Sequence, residues 1–397
     1  MMATRRVIYL DHAATTPVHP DVLHAMQPYF SEEFGNPGGL YALGQRARDA
    51  VDGARREVAR LLGCSAAEII FTSGGSESIN LALRGVTFGH RTFAERVGTG
   101  LKASAPAHII TSAIEHHAVG HTCRQLRELF GVEVSEVRVD QYGRVDPEDV
   151  RAAIRPSTVL ISVMYANNEV GSIQPIAAIG GIAREYGIPF HSDAVQAAPY
   201  LDINVNSLNV DLLSLGAHKF YGPKGIGVLY VRNGIPFQAM QTGGGQEHNL
   251  RAGTENVPYI VGLAHALSLT CRNRAANCAR IVPLRDRLLG TIPALIAHAR
   301  LSGHPSERVA HHTSFTIEGI EAGPLLLALD LAGIAASSGS ACTSASMEPS
   351  HVLTAMGLSR AEASGALRLT LGTENTPDEI EVVLETLPEA VERLRAA

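Results

Sequence analysis

Between about residues 66 and 232, short β-rich segments alternate with longer amphipathic ones, and few folds accommodate that pattern. The β-rich segments are Glu68–Thr72, His108–Ser112, Val132–Val139, Thr158–Met164, Ile188–Ser192, Val210–Ser214 and Ile226–Val231. Stretches such as Val119–Phe130 and Ile176–Tyr186 lie between them with helical periodicity. This alternation predicts an α/β fold built on a mostly parallel seven-stranded sheet flanked by helices. The segment 85–107, rich in Gly, Ala and Ser and poorly periodic, reads as a surface loop. Beyond about residue 258 the pattern changes to two long helical stretches, Ile260–Arg274 and Asn277–Ala299, followed by a shorter β-containing region. At 397 residues the chain exceeds one small core. A large domain over residues 15–264 is therefore expected, with a smaller α+β domain formed by residues 265–397 and 1–14.

Charge and composition exclude several classes. The net charge is −6 and no Lys/Arg block stands against it, so no nucleic-acid footprint is present. No run approaches the roughly 18 apolar residues of a membrane span. The opening MMATRRVIYLDHAATTP holds no apolar stretch of signal-peptide length, which predicts a cytoplasmic protein. The five cysteines (64, 123, 271, 278 and 342) form neither a CxxC pair nor a metal-finger spacing, so reduced thiols and no metal are expected.

In open parallel sheets, ligands bind at the carboxyl ends of strands, and several polar signatures follow the apparent strands here. Thr72-Ser73-Gly74-Gly75-Ser76-Glu77 runs into a helix. Such a Gly-rich turn is either a phosphate cup of free N–H groups or a Ser-capped helix start. It is not a P-loop, because the GxxxxGK[ST] pattern is absent. His116, in Ile114-Glu115-His116-His117, reads as a catalyst or as a hydrogen-bonded structural residue. His117 and His121 have i,i+4 spacing without the acidic partner a zinc site needs. Asn167, Asn168 and Glu169 after an apolar strand are turn formers or polar ligands. Asp193, at a strand end beside apolar residues, requires a partner such as a protonated ring nitrogen or a salt bridge. Lys219 follows a buried strand, where desolvation favours a Schiff base, although a lysine reaching out of a βα turn has the same pattern. Phosphate turn, strand-end Asp and strand-end Lys together match the needs of pyridoxal phosphate. Finally, Ser337–Ser346 is a run of ten small residues around Cys342 that cannot anchor in a core. It reads as a surface loop carrying one thiol, or as a linker with an incidental cysteine.

The order of these motifs resembles the NifS/IscS-type cysteine desulfurases over nearly the whole chain, from YLDHAATTP to LRLTLGTEN. FTSGGSES, IEHHAV, YANNEVGSIQPI, SDAVQA, HKFYGPKGIGVLYVR, GGGQEHNLRAGTEN and SSGSACTSASMEPSHVL occur in the family's sequence. The resemblance implies a fold-type I pyridoxal 5'-phosphate enzyme acting on L-cysteine as a homodimer. Lys219 would form the Schiff base and shuttle the α-proton, Asp193 would pair with the pyridine nitrogen, and His116 would stack on the ring. Gln196 and Asn168 would lie near the ring oxygen and substrate. Gly75, Ser76 and His218 would line the phosphate, with Thr254 reaching it from the partner subunit. Arg368 would clamp the substrate carboxylate, and Cys342 would accept the sulfur as a persulfide, leaving L-alanine. The sulfur would pass to an acceptor or iron–sulfur scaffold protein.

Departures from the family pattern are Gly216 where a serine usually touches the phosphate, the NPGGLYALG segment (residues 36–44), and an end soon after Leu394. A selenocysteine lyase or a class-V aminotransferase would use Lys219 and Asp193 equally well, and a catalytically silent sulfur-relay homologue would tolerate the departures. The Cys342 loop favours the desulfurase reading over the first two.

Overall fold

The computed structural model describes residues 7–97, 106–339 and 349–396. Its strands are β1 (Ile8–Tyr9), β2 (Ile69–Thr72), β3 (His108–Ser112), β4 (Glu133–Val137), β5 (Thr158–Ser162), β6 (Phe190–Asp193), β7 (Leu212–Gly216), β8 (Gly227–Val231), β9 (Ala299–Leu301), β10 (His312–Ile317), β11 (Ile334–Ala335) and β12 (Ala366–Thr370). Seven of them form one sheet in the order β2-β8-β7-β6-β5-β3-β4. Strands β7, β6, β5, β3 and β4 pair in parallel. β8 runs antiparallel to both β7 and β2. β2 therefore points the same way as β7, and the carboxyl ends of β2, β3, β5, β6 and β7 share one rim.

Apart from the edge strand β4, which is largely exposed or half-buried, the strands of this sheet are buried along their length because helices cover both faces, as parallel sheets require. One core cluster contains Phe71, Ile161, Phe190, Leu213 and Val228, and a second contains Ile70, Ile109, Leu160, Leu212 and Leu229. Alternate side chains of a strand thus enter opposite layers. A three-stranded antiparallel sheet, β12-β10-β9, follows in the C-terminal part, and β1 pairs in parallel with β11.

Two expectations need correction. The first part of the segment read as a loop over 85–107 is helical: helix Gly75–Val97 continues through it. A Cβ on Gly85 would sit 2.5 Å from the Phe237 ring, and one on Gly89 would sit 2.5 Å from the Pro236 carbonyl. The glycines that look like loop signals instead let a neighbouring segment pack directly on the helix. The two expected C-terminal helices are one, Val257–Leu295, continuous for 39 residues through Pro283. It packs along helix Ala42–Leu62 and then reaches the three-stranded sheet.

Candidate active site

The shared rim opens into a cavity of about 320 Å³. Lining it are Gly75 and Ser76 after β2, His116 after β3, Asn168 after β5, Asp193, Val195 and Gln196 at the end of β6, and His218 and Lys219 after β7. Arg368 of β12, Gly339, and Ala13 and Ala14 of the N-terminal arm close it. The fold thus gathers residues from Ala13 to Arg368 around one cavity.

Lys219 ends the single turn Ala217–Lys219 that continues β7. Its Nζ donates to the carbonyl oxygens of Ala13 (2.5 Å) and Ala14 (2.6 Å). Gln196 Nε2 donates to the Ala13 carbonyl as well, at 2.8 Å. Asp193 is buried, and its Oδ1 accepts the Val195 N–H at 3.0 Å. Burial pushes its carboxyl up to about 6, opposed by that hydrogen bond and the Lys219 charge. A buried carboxylate in that position is suited to a cationic ring nitrogen, because a nearby opposite charge restores its ionised form.

His116 caps helix His117–Phe130, its Nδ1 accepting the Ala118 N–H at 3.1 Å. Burial and the Lys219 charge lower its pKa to about 4, so the ring is neutral at pH 7, with its proton on Nε2. Burial and the charges of Lys219 and Lys224 likewise hold His218 at about 4.

Gly75 opens the 23-residue helix Gly75–Val97, whose first N–H groups and positive dipole end suit a phosphate. Gly74 before it has φ +151°, which favours glycine. A Cβ on Gly216 would lie 3.4 Å from the Gly75 nitrogen. A side chain at 216 would therefore reach the turn, and glycine leaves that place open. Phosphate-ready amides, a buried carboxylate and a lysine amine around one cavity are the donor set that pyridoxal phosphate requires.

Arg368 is 2 % exposed. Its Nη1 donates to the carbonyls of Asn168 (2.8 Å) and Gly339 (3.2 Å), and its Nη2 donates to Asp11 Oδ1 (2.6 Å). His312 also meets the Asn168 carbonyl, at 3.2 Å through Nε2. Thr254 is exposed and lies outside the cavity lining. Cys342 lies outside the described residues; Gly339 and Pro349 are the described residues on either side of it.

Two site residues were not singled out from sequence, and a third, Glu169, was read only as a turn former or polar ligand. Asp11 stands in YLDHAATTP, where only the motif as a whole was informative. Glu115 is buried beside the site: Oε1 accepts from Ser112 Oγ (2.6 Å) and Met164 N–H (2.9 Å), while Oε2 has no partner among the described residues. Burial pushes this carboxyl up to about 8, so it is protonated at neutral pH. Glu169 Oε2 accepts from Ser350 Oγ at 2.5 Å, joining the turn after β5 to the residues that follow Cys342 in sequence. Glu115 directly precedes the His116-His117 pair, and that adjacency was the available signal for it.

A mostly parallel sheet with this rim is shared by known proteins. The class-V aminotransferase family model matches residues 8–383, and the chain belongs to that family. A cysteine desulfurase IscS of Methanosarcina thermophila is 48% identical over 390 residues, covering 98% of this chain and 93% of that protein. A solved NifS-like protein superimposes with a TM-score of 0.88 at 35% identity, covering 98% of this chain and 100% of its own. The structure titled "SspA in complex with cysteine" matches with a TM-score of 0.79 at 37% identity, over 93% of this chain and 100% of that one. Within the family the chain falls among the NifS/IscS-type cysteine desulfurases, which depend on pyridoxal phosphate. No helix among the described residues is long and apolar enough to cross a membrane.

Proposed function

We propose that this cysteine desulfurase removes sulfur from L-cysteine through Cys342, with Lys219, Asp193, His116 and Arg368 as the groups that make the step possible. The observation that carries this reading is the meeting of Lys219, buried Asp193, the Gly75–Ser76 turn and Arg368 around one cavity. Bound pyridoxal phosphate supplies an electron sink for the substrate's α-carbon. Lys219 Nζ holds the cofactor and then moves the α-proton. Asp193 would hold a proton on the ring nitrogen, and that opposite charge would keep its buried carboxylate ionised. Neutral His116 would stack on the ring and offer its Nε2 for proton transfer. Gly75, Ser76 and His218 take the phosphate, Gln196 and Asn168 face the ring oxygen and the substrate, and Arg368 orients the substrate carboxylate. The Cys342 thiolate attacks the substrate sulfur. An S–S bond forms as the C–S bond breaks, the electron pair stays with carbon, and protonation there gives L-alanine.

A homodimer is part of this reading. It is supported by Thr254, which lies away from its own cavity, and by the exposed apolar residues Leu23, Phe30, Phe34, Leu40 and Tyr41 close together in sequence. Residues 15–264 form the cofactor-holding domain, and 1–14 with 265–397 form the smaller one that carries Arg368 and Cys342. The persulfide passes in the cytoplasm to an acceptor or iron–sulfur scaffold protein.

The test is to incubate holoenzyme with cysteine and a reductant, measuring sulfide and alanine together. Equal amounts of both are expected, and Cys342→Ala should lose both. Sulfide release by Cys342→Ala at the wild-type rate refutes the assignment of Cys342.

A further inference from the structure

The guanidinium assigned to the substrate's carboxylate already holds a carboxylate. Arg368 Nη2 donates to Asp11 Oδ1 at 2.6 Å, and both hydrogens of Nη1 are directed at the Asn168 and Gly339 carbonyls. Nε is shielded from solvent and has no hydrogen-bond partner among the described residues. An incoming carboxylate that binds through Nη1 and Nη2 must therefore share with these acceptors or displace one of them. The two carbonyls are neutral. Asp11 is the acceptor with the same charge and geometry as the newcomer.

Asp11 cannot easily withdraw. Leu10 donates to Ala335 O at 2.9 Å, Thr370 N–H donates to Leu10 O at 2.7 Å, and His12 N–H donates to Thr370 O at 3.3 Å. Its own carbonyl accepts from Tyr9 Oη at 3.0 Å. The backbone on both sides is thus tied to β11 and β12, and only side-chain rotation frees the carboxylate. The Asp11 side chain is 18 % exposed against 2 % for Arg368, so of the two partners Asp11 is the one in contact with water.

We propose that Asp11 is a specificity-determining residue, an internal competitor for Arg368 that a substrate carboxylate must displace. The proposal rests on the reading of Arg368 as the carboxylate clamp. Its physical consequence is discrimination. A bare buried guanidinium would collect any small carboxylate. With Asp11 in place, a ligand held by its carboxylate alone competes poorly. An α-amino acid is also held through its amine at the Lys219 end of the cavity, so its carboxylate competes at high effective concentration. Specificity then comes from an unfavourable exchange that only the doubly anchored ligand overcomes.

The test compares wild-type holoenzyme with Asp11→Asn, Asp11→Ser and Arg368→Gln, measuring KM and kcat for cysteine and the competitive inhibition constant of propionate. Asp11→Asn keeps the shape and removes the competing charge. Its KM should fall about 3- to 10-fold with kcat changing less, and propionate should bind about 10-fold or more tighter, a change of ~1.4 kcal/mol per tenfold. Asp11→Ser should move both constants in the same direction, which separates lost charge from lost folding. Arg368→Gln should raise KM and abolish propionate competition. If Arg368→Gln leaves both constants unchanged, the clamp reading itself falls. If Arg368→Gln behaves as expected but both Asp11 variants raise KM or leave propionate binding unchanged, Asp11 merely supports the arginine and the competitor proposal is overturned.

Discussion

The segment containing Glu247 offers a sharp test of how this site is held. Glu247, His248 and Asn249 all have left-handed φ values of 44°, 57° and 63°. Three consecutive non-glycine residues in that region are costly and persist only where the surroundings fix them. The fixing group is a buried ion pair: Arg55 Nη1 and Nη2 donate to Glu247 Oε2 and Oε1 at 2.7 and 2.8 Å, with the two side chains 8 % and 2 % exposed. Arg55 also donates to Ile69 O (2.7 Å), and Glu247 accepts the Phe71 N–H (2.9 Å), so the pair grips β2 just before the Gly75 turn. A few residues later, Arg251 reaches Glu77 in the first turn of helix Gly75–Val97 at 2.8 Å. Arg55→Met leaves the Glu247 charge buried beside one N–H, and loss of one partner from such a pair costs about 3–5 kcal/mol. With a urea slope near 3 kcal/mol/M, that is a midpoint shift of about 1 M or more. Adding Glu247→Gln removes the stranded charge and should recover a substantial part of the loss. Urea unfolding of both variants at one fixed protein concentration, with cofactor absorbance recorded alongside, makes the comparison. A double variant as unstable as Arg55→Met, or more so, refutes the argument that stranded charge dominates the cost.

Two further perturbations separate other effects. Glu115→Gln mimics the protonated acid, so it should cost about 1 kcal/mol or less near neutral pH. The folded wild type retains a proton up to about pH 8 that the unfolded chain releases near its ordinary carboxyl value. Wild-type stability gained from that proton is therefore complete at low pH and lost as pH rises toward 8. The urea midpoint of Glu115→Gln should accordingly climb relative to wild type from pH 5 to 8 and then level off; a flat difference shows Glu115 to be ionised. Gly216→Ser places a hydroxyl at the phosphate turn where a Cβ lies at ordinary contact, 3.4 Å from Gly75 N. One added hydrogen bond, about 0.5–1.5 kcal/mol, should tighten cofactor retention roughly 2- to 10-fold in equilibrium dialysis. Unchanged or weaker retention means that the cofactor phosphate does not lie beside residue 216.

Most strands of the large sheet were legible because their burial on both faces writes them as largely apolar runs bounded by turn residues. For the same reason Asp193 and Lys219 were legible: a charged side chain just past such a run is conspicuous. Helix Gly75–Val97 was cut short in the sequence because Gly85 and Gly89 resemble loop signals. Their purpose is the close approach of Pro236 and Phe237, a contact across roughly 150 positions that no local window contains. The single helix Val257–Leu295 was split because the polar run from Arg272 to Asn277 interrupts its apolar periodicity, whereas packing on helix Ala42–Leu62 carries it through.

Asp11 was hidden for a different reason. Its role depends on Arg368, 357 positions away, and on the parallel pairing of β1 with β11 that delivers it there. Strand-end reasoning finds residues that the large sheet presents by itself, because each follows its own apolar run. The proposed carboxylate clamp is instead assembled where the N-terminal arm, β12 and the turn after β5 converge, so its members have no common local pattern. This division has a consequence for substitutions. On the proposed reading, changes at Lys219 or Asp193 act directly on the chemistry, while changes at Asp11 act on which molecules reach it. The two kinds of effect should therefore separate as kcat and KM in the same assay.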